Sequence, residues 1–118
     1  MLVEMRTYVL HPGQQGAFMA LMESEGLPIE RPVLGRLLGY YTCEIGPLNQ
    51  VIHLWGYDNF EERQRRRQQL AADPRWMRFV PRVTPMIQTM QNQLLHPAPF
   101  APIESLDWGP NAFQENSV

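Results

Sequence analysis

The chain has 118 residues, 44% of them hydrophobic and 19% charged, which is the make-up of one soluble globular domain. The 10 basic residues are all arginine and the 12 acidic ones leave a net charge of -2, so the basic surplus of a nucleic-acid binder is missing. The lone cysteine, Cys43, excludes an intrachain disulfide and a Cys-based zinc site. No apolar run nears the roughly 18 residues of a membrane span.

The first ten residues, MLVEMRTYVL, lack the layout of a signal peptide, so a cytoplasmic protein is expected. Residues 2–10 alternate: Val3, Met5, Thr7 and Val9 on one side, Leu2, Glu4, Arg6, Tyr8 and Leu10 on the other. Period two predicts a strand. His11-Pro12-Gly13 is a turn. From Gln14 to about Glu25 the spacing of Phe18, Leu21 and Met22 predicts a helix, ended by Gly26 and Pro28. Residues 27–35 read as a loop. Two strands follow, about Arg36–Ile45 and Gln50–Tyr57, joined as a hairpin through 46–49. Gly39 suggests a bulge or a close approach in the first.

Asp58 reads as the cap of a second helix, with Glu61 completing a capping box. That helix runs to about Ala72. Asp73 and Pro74 start a short third one, with Trp76, Phe79 and Val80 as its apolar side and Pro81 and Pro85 as breakers. Residues 86–95 read as the last strand, on a poor pattern, with a helix as the alternative. The proline-rich segment from residue 96 is expected to be extended. Its Phe100, Ile103 and Trp108 give it something to bury. The domain spans 1–103 and a tail 104–118.

The order is strand, helix, strand, strand, helix, strand, the α+β ferredoxin-like pattern. Its first and third strands lie side by side in a four-stranded antiparallel sheet. One face of such a sheet packs on helices. The other needs a partner, so a homodimer closing into an α/β barrel is expected.

Neighbouring first and third strands could bring Glu4, Arg6 and Tyr8 onto one face with His53, Trp55 and Tyr57. A central strand seldom spends so many large polar groups idly. Arg63 and Arg67 fall on the helix arc that carries Phe60 and Leu70, facing the sheet. Inward arginines neutralise a buried carboxylate, such as Glu4 or Glu44, or grip an anion. Glu61–Arg65 and Glu62–Arg66 are spaced as pairs on the solvated face. No phosphate loop, GxGxxG, GxSxG or HExxH motif is present, and no metal or cofactor is implied.

The segments MRTYVLHPG, LGYYTCEIGPLNQVIHLWGYDNFEERQRRR, DPRW and QNQLLHPAPFAP resemble the NIPSNAP family over about residues 2–103. Glu4, Arg6, Tyr8, His53, Trp55, Tyr57, Arg63, Arg67 and Trp76 stand at recurring positions of that family. The resemblance implies a ferredoxin-like unit that dimerises into a barrel. Related barrels include cofactor-independent monooxygenases, isomerases, lyases and haem-binding enzymes. Eukaryotic members carry a mitochondrial leader, which this sequence does not resemble.

The expected site is therefore a pocket between sheet and helices for a small aromatic or carboxylated metabolite. His53, Tyr8 and Glu4 are the candidates for proton transfer. Arg6, Arg63 and Arg67 would hold an anionic group, and Trp55, Tyr57 and Trp76 would form walls. The alternative is a non-catalytic binding or interaction module whose polar row is structural. Haem binding would rest on His53 as axial ligand. A pocket of at least ~300 Å³ favours the enzyme, and a fully paired row favours the module.

Overall fold

In the computed structural model, which describes residues 1–101, the alternating N-terminal segment forms β1 (Leu2–Leu10). β2 (Arg36–Thr42), β3 (Gln50–Tyr57) and β4 (Ile87–Leu95) complete one antiparallel sheet in the order β2-β3-β1-β4. The expected ferredoxin-like α+β architecture is present, with β1 and β3 at the centre. The tail from residue 102, with Ile103 and Trp108, lies outside the described residues. Phe100 is exposed.

Pairing fixes the faces. Glu4 stands opposite Trp55, Arg6 opposite His53 and Leu2 opposite Tyr57. Directly opposed residues of antiparallel strands share a face. On β4, Asn92 stands opposite Arg6 and Leu94 opposite Glu4. The register slips between Leu37 and Gly39, which is the expected bulge. A Cβ on Gly39 would run into the Tyr41 ring.

The helical layer departs from the sequence reading in three places. First, residues 27–35 are no loop. α1 (Gln15–Leu21) passes through a π-helical turn (Met22–Gly26) straight into α2 (Leu27–Leu34). Pro28 follows directly on the π turn, so its missing N–H leaves a gap in the backbone ladder at the joint. Pro32 sits inside the helix and removes one backbone bond there. Burial of Val33 and Leu34 on the inward stripe outweighs those losses. Second, the cap of α3 (Phe60–Ala71) is Asn59. Its Oδ1 accepts from Glu62 N at 2.8 Å, and Glu62 Oε2 accepts from Asp58 N at 2.6 Å. Asp58 is used elsewhere, accepting from Arg36 Nη2 at 2.6 Å. Third, α4 (Pro74–Val83) continues past Pro81, and a 3₁₀ turn (Thr84–Met86) leads into β4. Asp73 caps α4 through Arg75 N, as expected.

Two apolar clusters join sheet to helices. One gathers Leu10, Phe18, Met22, Val51, Phe79 and Val83. The other gathers Val33, Leu34, Trp55, Tyr57 and Leu70. Phe60, read as inward, is half exposed. Val3, Met5, Val9, Ile52 and Leu54, on the opposite sheet face, belong to neither cluster. No helix among the described residues is long and apolar enough to cross a membrane.

Candidate functional site

The polar row lies between the sheet and the helices, and it divides into two parts. The first centres on Glu4, which is fully buried. Its Oε2 accepts from Arg63 Nη2 at 2.7 Å, Asn92 Nδ2 at 2.8 Å and Arg6 Nη1 at 3.2 Å. Its Oε1 accepts from Arg67 Nε at 2.9 Å and from the Tyr57 hydroxyl at 3.1 Å. Burial alone would raise its pKa. The Arg67 charge, hydrogen bonds from Arg63 and Asn92, and the Arg6 charge outweigh that and hold it at about 2. A carboxylate so crowded with donors has no lone pair left to take a proton. Burial, opposed by Arg67 and reinforced by Glu4, pushes the Tyr57 phenol up to about 12.

The second part lines a cavity of about 240 Å³. Arg6, Tyr8, His53, Arg67 and Trp76 reach it from the expected set. Glu4, Trp55, Tyr57 and Arg63 do not line it and stand behind that wall. Glu30 and Tyr40 reach it as well, and the sequence reading had not singled them out as site residues. Phe18, Met22, Val80, Val83, Ile87 and Met90 make the remainder mostly apolar.

His53 is 1% exposed, and its Nδ1 accepts from Trp55 Nε1 at 2.9 Å. A neutral imidazole whose Nδ1 accepts carries its proton on Nε2. Burial pushes its pKa down to about 3, and the charges of Arg6 and Arg67 act the same way, against Glu4. The ring is therefore neutral at pH 7 and offers a donor. Tyr40 stacks on it, with centroids 4.7 Å apart, and Tyr8 meets it edge-on at 5.0 Å. Burial, with Glu30 and Tyr8 beside it, raises the Tyr40 pKa, so its hydroxyl keeps its proton. Arg6 Nε donates to the Tyr8 hydroxyl at 2.9 Å.

Glu30 is 3% exposed. Burial raises its pKa to about 7, with Arg67 and Arg6 pulling down and Glu4 pushing up. It is the carboxyl poised between its two forms at neutral pH. Four buried side-chain atoms lack hydrogen-bond partners among the described residues: Glu30 Oε1, Tyr40 OH, His53 Nε2 and Arg67 Nη2. Arg67 Nη2 does lie 2.7 Å from Glu4 Oε1 as an ion pair, without an aligned hydrogen bond. Among the described residues no group of three or more His, Cys, Asp or Glu could hold a metal ion.

A signal for Glu30 was available. Leu27, Glu30, Val33 and Leu34 recur at helical spacing, which places the carboxyl on the inward stripe. Pro28 and Pro32 masked it.

The NIPSNAP family model matches residues 3–102. The chain belongs to the NIPSNAP family. A NipSnap homologue from Dictyostelium discoideum is 34% identical over 94 residues, covering 80% of this chain and 41% of that protein. Human NipSnap homolog 3A is 30% identical over 104 residues, with 86% and 41% covered. The chain thus spans about two fifths of the length of these curated NIPSNAP relatives. A solved NIPSNAP-like domain protein from Burkholderia xenovorans is 47% identical with a TM-score of 0.85, covering 93% of this chain and 96% of that one. A NIPSNAP family protein from Agrobacterium tumefaciens gives 42% identity and 0.84, covering 86% and 97%. A candidate antibiotic biosynthesis monooxygenase from Nitrosomonas europaea shares the fold at TM-score 0.60 and 8% identity, covering 81% and 97%.

Proposed function

We propose that this NIPSNAP protein is a small-molecule enzyme that moves a proton without a cofactor, with Glu30 as the proton carrier. One observation carries the reading: the three buried polar atoms with neither hydrogen bond nor ion pair, Glu30 Oε1, Tyr40 OH and His53 Nε2, all belong to residues of one cavity wall. Each such atom left idle costs a fold about 1–3 kcal/mol. A ligand that answers all three accounts for their retention.

The roles differ from those first expected. A carboxyl with a pKa of about 7 is matched to general acid–base work at neutral pH. His53 is too weakly basic for that and is better suited to donate through Nε2–H. Arg6 and Arg67 supply positive charge to an anionic group. Trp76 and Tyr8 act as walls. Glu4, Arg63, Trp55 and Tyr57 position these groups from behind. The non-catalytic reading is favoured only for the Glu4 half of the row, where both carboxylate oxygens are paired. The cavity, at about 240 Å³, falls short of the ~300 Å³ expected of the enzyme, so size does not favour that reading, and the room left is that of a single-ring metabolite.

We further infer a homodimer and a cytoplasmic setting. Val3, Met5, Val9, Ile52 and Leu54 form an apolar patch on the sheet face outside both core clusters, continued by the exposed Tyr41 and Leu95 and bordered by Thr89, Gln91 and Gln93 of β4. A second copy of the same face would cover it and close the barrel. The free Cys43 suits a reducing compartment.

Native mass spectrometry of freshly purified protein tests both claims. A dimer that releases a discrete small molecule is the expected result. A monomer would overturn the barrel. An empty protein whose crystals show the cavity closed and those three atoms paired would overturn the enzyme.

A further inference from the structure

We propose that the substrate is a small conjugated carbonyl compound that reacts through its enolate, its oxygen held by His53 and Tyr40 and its α-proton removed by Glu30. The inference rests on the cavity being a reaction site and names the substrate class for it.

Three observations converge. The unpartnered groups are two donors, His53 Nε2–H and Tyr40 O–H, beside one carboxyl that can gain or lose a proton, and Arg67, ion-paired to Glu4, lines the same cavity. Donors in that excess match an oxygen that becomes negative, and they are already oriented before it does. The charge points the same way. Arg6, Arg63 and Arg67 all pair with the single carboxylate of Glu4, which leaves a surplus of positive charge at the cavity wall and just behind it. The shape adds flatness, since the stacked Tyr40 and His53 rings and the ring of Trp76 border the cavity. A planar conjugated ligand matches such walls.

The step balances without an oxidant or reductant. The Glu30 carboxylate takes the α-proton, and the C–H bonding pair becomes a carbon–carbon double bond. The carbonyl π pair moves onto oxygen, which accepts from His53 and Tyr40. The Glu30 acid then returns the proton to the same carbon or to the conjugated γ-carbon, and in the latter case the product is an isomer.

The test uses the full-length dimer or monomer as purified, with three probes. 4-Nitrophenol mimics the enolate, and 4-nitroanisole is the same ring with its oxygen blocked. 5-Nitrobenzisoxazole reports proton removal: a base takes its ring C–H proton, the N–O bond breaks, and the pair ends on a coloured phenolate oxygen. We expect nitrophenolate to bind about tenfold or more tighter than nitroanisole, the gain of one charge-assisted hydrogen bond. Tyr40→Phe, which keeps the ring stack, should shrink that ratio several-fold. Glu30→Gln should slow ring opening by about 100-fold or more. Equal binding of both ring probes overturns the enolate and leaves the cavity reading standing. Binding of neither overturns both. A preference for phenolate without ring opening removes Glu30 as the base, and the proposal with it.

Discussion

Trp55 Nε1 donates to His53 Nδ1 at 2.9 Å, with both side chains buried. One indole thereby decides what the imidazole can do. With Nδ1 engaged, Nε2 carries the proton and faces the cavity as a donor. Nitrogen-15 NMR of the histidine rings should find His53 neutral, with the proton on Nε2, from pH 8 down to pH 5. A titration midpoint at its ordinary value of 6.5 would contradict this. The sign for stability follows. The unfolded chain binds this proton more readily than the fold, so stability is full above 6.5 and falls as pH drops toward about 3.

Glu30 has the opposite dependence. Its folded pKa of about 7 lies above the ordinary 4.5, so the folded form holds the proton more tightly. Its share of stability is complete below 4.5 and is lost as pH rises through about 7. Glu30→Gln cannot ionise and should lose that decline. Urea denaturation of both proteins across pH 4.5 to 8.5 should show the variant gaining on the wild type by roughly 3 kcal/mol. Parallel curves would mean that Glu30 is ionised at an ordinary pKa.

Glu4 is the counter-case, a carboxylate held at about 2 by its partners. Its contribution is present above 4.5 and lost as pH falls toward 2. Glu4→Gln removes the single negative charge among three arginines while keeping the shape. It should destabilise by about 3–5 kcal/mol at pH 7, because the guanidiniums are left buried and uncompensated. Chemical denaturation reads this directly. A loss under 1 kcal/mol would mean that water or solvent ions already serve those arginines.

The sheet was legible because period two, repeated in β1 and β3, leaves one solution for which residues share a face. The same logic brought Glu4, Arg6 and His53 together and turned Arg63 and Arg67 toward them. Glu30 was hidden because prolines at 28 and 32 are local signals, whereas the burial that overrides them is tertiary. The shifted cap has a similar cause. Asp58 and Asn59 are both good caps, and the choice fell to Arg36, a residue far along the chain that takes Asp58. The division of the polar row into a paired half and an unpaired half was beyond the sequence, because it depends on side-chain reach across four strands and three helices.

The π turn joins α1 to the helix that carries Glu30, and Gly26 at its end can be tested. Gly26 is helical, with φ -69° and ψ -54°, so its backbone does not require glycine. Space does: an added Cβ would stand 2.8 Å from Met22 Sδ and Cε and 2.9 Å from Phe79 Cε2. Alanine gains up to about 1 kcal/mol of helix propensity over glycine. Overpacking a core costs about 1–3 kcal/mol. The Met22 tip can swing aside, but the Phe79 ring is buried in the apolar cluster and has less room. Gly26→Ala should therefore destabilise by about 1 kcal/mol net. Gly16, in α1, meets nothing within 4 Å of an added Cβ. Gly16→Ala should keep the propensity gain and stabilise by a few tenths to about 1 kcal/mol. Thermal denaturation of the pair should thus move in opposite directions. If both rise together, Phe79 yields freely and the joint between α1 and α2 is looser than its packing implies.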